Sequence, residues 1–182
     1  MNGAPLVVAL VGTDHHPFDR LVSWMDDAAR RRPNVRFVVQ HGTTRAPSVA
    51  EGRAFLGHDD LQDLLRRADV VVCHGGPGTI TDAREAGHRP LCVPRDPAFG
   101  EHVDGHQLRF ARTVGDAGVV KVVAQAAELA TELDLRLTSR TRTGEVESAT
   151  VARDAARAAL AAELDELLRV RPLRRVRLRR AS

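Results

Sequence analysis

Short apolar, β-branched runs recur along this chain, and a segment of helical length separates each from the next. Residues 6–11 form the first run, which is unbroken by polar residues. That pattern belongs to a strand buried on both faces rather than one. Further runs lie at 35–40, 69–74, 90–94 and 118–123, with a weaker one at 53–56. Helical periodicity fills 18–31, where Leu21, Val22, Trp24 and Met25 share a stripe. It returns at 61–67 behind Asp60 as a cap, from the Gly75–Gly78 turn to about Gly87, at 102–114 and at 124–135. Strands alternating with such helices predict an α/β fold: a Rossmann-like parallel sheet flanked by helices, built from right-handed β-α-β units.

The 182 residues, 43% of them apolar, suffice for one core with an appendage. The expected division is a domain over 1–136, a polar linker over 137–147, a carboxyl-terminal helix over 148–170 and an arginine-rich tail over 171–182. Six arginines crowd that tail; removing them from the 27 basic residues leaves 21 against 24 acidic ones. The body is mildly acidic, so nucleic acid is not an expected partner, and the tail lacks aromatic residues to stack on bases. The tail reads either as an untethered end or as a handle for peripheral contact with an anionic membrane surface. No apolar run reaches the 18 residues that suggest a membrane-spanning helix, and no basic segment precedes the first apolar stretch as in a secretory signal. Cys73 and Cys92 each sit inside an apolar run, which favours a reducing cytoplasm over a disulfide scaffold.

Three polar constellations follow strands and so fall at the carboxyl edge of the sheet, where open parallel sheets bind ligands. The first is His74-Gly75-Gly76-Pro77-Gly78-Thr79, between a strand and a helix. Glycines admit a ligand close to the backbone, and a helix amino terminus favours a phosphate or diphosphate. The spacing matches neither a Walker A loop nor GxGxxG, and a plain tight turn is the alternative. One helical turn on, Asp82 can accept from a ribose diol or simply favour the helix dipole. The second constellation runs from Gly100 to Gln107 and includes Glu101, His102, Asp104 and His106. Polar contacts to sugar or phosphate explain it more simply than a metal, for which the ligand set is unsettled, and no HExxH pattern is present. Helix capping is the structural alternative. The third is Gly12-Thr13-Asp14-His15-His16 after the first strand, readable as a phosphate-facing loop or a solvated one.

These constellations, in this order, resemble the carboxyl-terminal half of family 28 glycosyltransferases. The carrying segments are VGT with HPFDRLV, then LLRRADVVVCHGGPGTI, REAGHRPLCVPR and GEHVDGHQ. The chain is most similar to the small donor-binding subunits of two-component UDP-sugar transferases, of the bacterial exopolysaccharide type and the related eukaryotic dolichol-linked type. The resemblance implies half of a GT-B fold holding a UDP-sugar. It places the donor diphosphate on His74, Gly75, Gly76, Gly78 and Thr79, to which the phosphate-facing reading of the first loop adds Gly12 and Thr13, and the ribose on Asp82, where the family usually has glutamate. It places uracil on Phe55 and Leu56, and the donor sugar on Glu101, His102, His106 and Gln107. No cofactor or metal is implied.

The first strand begins after only five residues, so a membrane-associated partner subunit is expected to supply the acceptor site and the catalytic base, with this chain inactive alone. The catalytic residue is therefore not assigned here. The apolar face of the carboxyl-terminal helix is a candidate surface for that partner, unless it packs on its own domain. A non-catalytic nucleotide-sugar-binding module that regulates or scaffolds another protein is the rival reading. A hydrolase with metal on His102 and His106 is a third.

Overall fold

The computed structural model describes residues 4–139. Most of the expected linker, the helix at 148–170 and the arginine tail lie outside the described residues. The order of elements is β1 (Leu6–Leu10), α1 (Asp19–Arg31), β2 (Arg36–Gln40), β3 (Glu51–Arg53), α2 (His58–Arg67), β4 (Val70–Cys73), α3 (Pro77–Glu85), β5 (Leu91–Cys92), a 3₁₀ turn (Pro97–Phe99), α4 (His106–Asp116), β6 (Lys121–Val122) and α5 (Ala126–Ser139). The six strands form one parallel sheet in the order β3-β2-β1-β4-β5-β6.

Alternation along β1 explains why its sequence is apolar throughout. Val7, Ala9 and Val11 face a layer built from Phe18, Leu21, Val22 and Met25 of the α1 region and Leu129 and Leu133 of α5. Leu6, Val8 and Leu10 face the opposite layer, with Leu64 and Leu65 of α2 and Ala83 of α3. Successive strand side chains point to opposite faces, so a strand covered on both sides has no polar position. A third cluster joins Cys73, Ile80, Cys92, Phe110 and Val114 under α3 and α4. Cys73 and Cys92 are register partners on β4 and β5, and both thiols are free and buried.

The chain leaves β1 towards β2 and β3, then returns to β4 on β1's other side. That reversal opens a crevice outside the carboxyl ends of β1 and β4, where sheets of this order bind ligands.

Four expectations shift. β3 occupies Glu51–Arg53 rather than 53–56, because its backbone pairs Val38 with Glu51 and Gln40 with Arg53. Asp26 fixes that approach: its buried carboxylate accepts from Ser48 N (2.8 Å), Val49 N (2.9 Å) and Ala50 N (3.1 Å). Phe55 and Leu56 thereby leave the sheet. α2 starts at His58 on Gly57, so Asp60 lies within its first turn and favours the dipole instead of capping. α4 starts at His106, four residues later than expected, because the 3₁₀ turn and its loop intervene. α5 continues to Ser139, so 137–139 extend a helix where linker was expected.

Candidate functional site

A cleft of about 500 Å³ opens at the crevice between the ends of β1 and β4. His74 forms its floor. A Cβ at Gly12, whose φ is +90°, would stand 2.8 Å from the imidazole Cε1, and one at Gly76 would stand 2.4 Å from Nε2. The ring is therefore seated between two residues that must lack side chains. Its Nδ1 faces the Leu10 carbonyl at 3.4 Å. Burial, reinforced by the nearby Arg95 guanidinium, lowers its pKa to about 4, so the imidazole is neutral at physiological pH. Gly75 turns the chain from β4 into α3 and packs towards Cys92, not into the cleft.

α3 begins at Pro77 on Gly76, and no side chain caps it. Proline has no N–H, so the orphan donors of the first turn belong to the residues that follow, Gly78 and Thr79 among them. Gly78, Thr79, Gly12 and Thr13 line the cleft. This end of the site is electropositive without a cationic side chain: it consists of N–H groups and a helix terminus.

The opposite wall is apolar, made by Phe55, Leu56 and Leu61. Phe55 is 60% exposed, an unusual state for a large apolar side chain. Asp82 lies beside this wall, where Gln62 Nε2 donates to its Oδ1 at 3.1 Å. Burial raises the Asp82 pKa despite the proximity of His58. Gln40 ties the neighbouring loops, donating to Gly12 O (3.3 Å) and Ala54 O (3.0 Å). At the α4 end, Gln107 lines the cleft, and its buried Oε1 has no hydrogen-bond donor. A buried acceptor left unmatched is costly, and a hydrogen-bond donor reaching it from the cleft would relieve that cost.

The loop between β5 and α4 departs from expectation. Glu101 is 3% exposed and does not line the cleft. Arg20 holds both its oxygens, at 2.8 and 2.7 Å, and Asp96 N donates to it at 2.9 Å. Its carboxylate is committed to the fold, which corrects its expected role towards a sugar. Arg95, fully buried, donates to Val11 O (3.1 Å), His16 O (2.6 Å) and Glu101 O (3.0 Å). It locks the loop after β1 to the loop after β5. His102 and His106 also fall outside the cleft lining but stand at its mouth: His102 Nε2 is 3.8 Å from Asp14 Oδ2, and Asp14 lines the cleft.

Of the expected site, Gly12, Thr13, Phe55, Leu56, His74, Gly76, Gly78, Thr79, Asp82 and Gln107 thus meet around one cavity. Sequence reasoning missed Gln40, Leu61, Gln62 and Arg95. Only Arg95 carried a signal, as a charge directly beyond an apolar strand.

The fold and cleft define a parallel α/β domain with its ligand site at the switch point of the sheet. The chain belongs to the glycosyltransferase family 28 C-terminal domain family, whose model matches residues 6–163. A 104-residue stretch is 33% identical to the UDP-N-acetylglucosamine–N-acetylmuramyl-(pentapeptide) pyrophosphoryl-undecaprenol N-acetylglucosamine transferase of Bordetella pertussis, covering 57% of this chain and 28% of that protein. Among solved structures, the glycotransferase of kitacinnamycin superposes with a TM-score of 0.60 at 18% identity, covering 91% of this chain and 43% of that one. MurG of Acinetobacter baumannii gives 0.53 at 20%, covering 90% and 50%. The chain therefore spans about half or less of the length of the proteins it matches, and the solved structures share its fold.

Proposed function

We propose that this chain is the donor-binding part of an inverting glycosyltransferase that moves a sugar from a UDP-sugar to a lipid-linked or polysaccharide acceptor. One observation carries the reading. The uncapped amino terminus of α3, the Asp82 carboxylate, the apolar wall of Phe55 and Leu56 and the unmatched Gln107 oxygen share one cleft. The first suits a diphosphate, the second a ribose diol, the third a base and the fourth a sugar hydroxyl.

The donor diphosphate sits on Gly12, Thr13, His74, Gly76, Gly78 and Thr79. The N–H groups of α3 meet the phosphate oxygens, while His74, neutral and with its Nδ1 turned to Leu10 O, packs beneath the turn between Gly12 and Gly76 and gives the phosphate no hydrogen bond. Gln107, with His102 and His106 at the mouth, contacts the sugar. The acceptor hydroxyl attacks the anomeric carbon as the diphosphate leaves, and the helix terminus stabilises the growing negative charge. The attacking hydroxyl loses its proton to a base supplied by a membrane-associated partner subunit, without which this chain is inactive. The family model is that of a carboxyl-terminal domain, and the Bordetella protein's name specifies an undecaprenol-linked acceptor, which supports a lipid-linked acceptor held at a membrane. No helix among the described residues is long and apolar enough to cross one.

Calorimetry with UDP, UDP-N-acetylglucosamine, UDP-glucose and UDP-glucuronate tests the reading. We expect saturable binding of UDP, tighter binding of one UDP-sugar, and loss of at least tenfold in affinity on Asp82→Ala. Absence of UDP binding both alone and with the co-expressed partner would refute the donor-binding reading and leave only a scaffold without a donor.

A further inference from the structure

The mouth of the cleft carries one local motif twice. In the loop after β1, Asp14 Oδ1 accepts from the His16 backbone N–H at 2.7 Å and from its ring Nδ1 at 2.6 Å. In the loop before α4, Asp104 Oδ1 accepts from the His106 backbone N–H at 2.9 Å and from its ring Nδ1. Each carboxylate orients an imidazole two residues on, with Nδ1 as the donor, so Nε2 keeps its lone pair. His102 lies between the two loops. Its ring centroid is 5.5 Å from that of His16 and 4.5 Å from that of His106, the latter edge-on. Its Nε2 stands 3.8 Å from Asp14 Oδ2 and its Nδ1 3.9 Å from Asp104 Oδ1, with the side chain 11% exposed.

Three imidazoles from two loops thus crowd one spot, two of them held by carboxylates in the arrangement that metal-binding histidines use. Two separate sets each place their potential ligand atoms within 4.8 Å of one another: Asp14 with His15 and His16, and His102 with Asp104 and His106. The guanidinium of Arg95 lies close by, but it is engaged by the carbonyls of Val11, His16 and Glu101. The two carboxylates outweigh it in charge. Arg20 is held by Glu101, and the Arg109 guanidinium lies beside Gly105, next to Asp104 and His106.

We propose that His16, His102 and His106 form a binding site for a zinc-type transition-metal ion at the mouth of the cleft, with Asp14 and Asp104 orienting the first and last rings. Nitrogen ligands at about 2.0–2.1 Å from a tetrahedral ion stand about 3.3 Å apart, so the three rings turn towards a common point when the ion binds. Three protein ligands leave a fourth position open to water or another oxygen ligand. His102 and His106 are also the residues assigned to the donor sugar above, so ion and donor meet at this mouth. The metal measurement needs no nucleotide, and its failure and that of the donor reading are separable.

The test uses the untagged full chain, stripped of metal by a chelator and titrated with Co²⁺ followed by visible absorption and with Zn²⁺ followed by calorimetry. We expect one ion per chain and the intense visible bands of a four-coordinate Co²⁺ site. His102→Ala and His106→Ala should each weaken binding at least tenfold. Asp104→Asn, on an exposed side chain that leaves the core untouched, should weaken it about 10–100-fold, as loss of an orienting carboxylate does elsewhere. His15→Ala should leave it within about twofold, since His15, although its ring lies 4.0 Å from that of His16, is 83% exposed and is not one of the three proposed ligands. Circular dichroism confirms the fold of each variant. Substoichiometric binding, or binding that survives His102→Ala and Asp104→Asn in folded protein, overturns the site.

Discussion

Lowering the pH from 7 to 5 should destabilise this protein chiefly through one buried ring, His74, with a further share from His102, whose pKa burial also lowers, and His74→Gln should remove the His74 share of that loss. In the unfolded chain His74 takes up a proton near the ordinary imidazole value of about 6.5. In the folded chain, burial and Arg95 hold it neutral until about pH 4. Between those values the unfolded state binds more protons, so acid favours unfolding. Stability is full above the unfolded value and falls as pH drops towards the folded one. Integrated from pH 7 to 5, the imidazole alone removes about 2 kcal/mol. For a domain of this size that corresponds to a fall of about 5 °C in Tm. The glutamine amide does not titrate and so removes the His74 share of the slope, whatever its own effect on stability, while the His102 share remains in both proteins. Urea unfolding followed by the fluorescence of Trp24, the chain's one tryptophan, measures both proteins at each pH. The carboxylates held below their ordinary range titrate mainly under pH 5 and cancel in the comparison. Equal losses in the two proteins between pH 7 and 5 would refute the argument, because His74 would then gain its proton as easily folded as unfolded.

Other substitutions separate shape from charge. Gly76→Ala should cost about 1–3 kcal/mol, because its Cβ would stand 2.4 Å from the His74 ring, whereas Gly78→Ala, with nothing within 4 Å, should hold or raise stability; thermal unfolding compares them. Glu101→Ala should cost about 3 kcal/mol by stranding Arg20, and the joint change Arg20→Met with Glu101→Leu should recover much of that in denaturant titrations. Burial alone would raise the Asp26 pKa, but hydrogen bonds from Ser48, Val49 and Ala50 hold it below the ordinary value. Its contribution is therefore present above the unfolded carboxylate range and lost as pH falls through the folded value. Asp26→Asn should flatten the acid limb of the stability curve.

The layered fold was legible because β1, β2 and β4 are covered on both faces and leave an unbroken apolar signature. The glycine turn was legible because backbone approach needs residues without side chains. What stayed hidden was pairing and polar partnership. β3 is an edge strand whose register comes from backbone pairing and from Asp26 twenty-odd residues away, so its apolar neighbours Phe55 and Leu56 misled the assignment while still falling in the expected site. Glu101 looked available because sequence does not show that Arg20, 81 residues earlier, reaches it. Gln40 and Gln62 act through partners 14 or more residues away, and nothing local marks them; Arg95 is marked as a charge directly beyond an apolar strand, but not by the carbonyls of Val11 and His16 that it binds, 79 or more residues earlier.

The same long-range web decides how rigid the mouth of the cleft can be. Arg95 bonds only carbonyl oxygens, one at the end of β1, one in the loop that follows and one before α4. An arginine paired with a carboxylate could exchange partners with solvent, but a fully buried guanidinium among carbonyls has no equivalent alternative. Glu101 lies on this web by its carbonyl and on Arg20 by its carboxylate, so one residue fastens the second loop at both ends. The two Asp-x-His motifs are each local and would form in isolated loops. Their approach to within reach of His102 depends on Arg95 holding those loops together. Arg95→Met should therefore leave each motif intact yet separate them, weakening any function that needs both loops more than it weakens the glycine turn of α3.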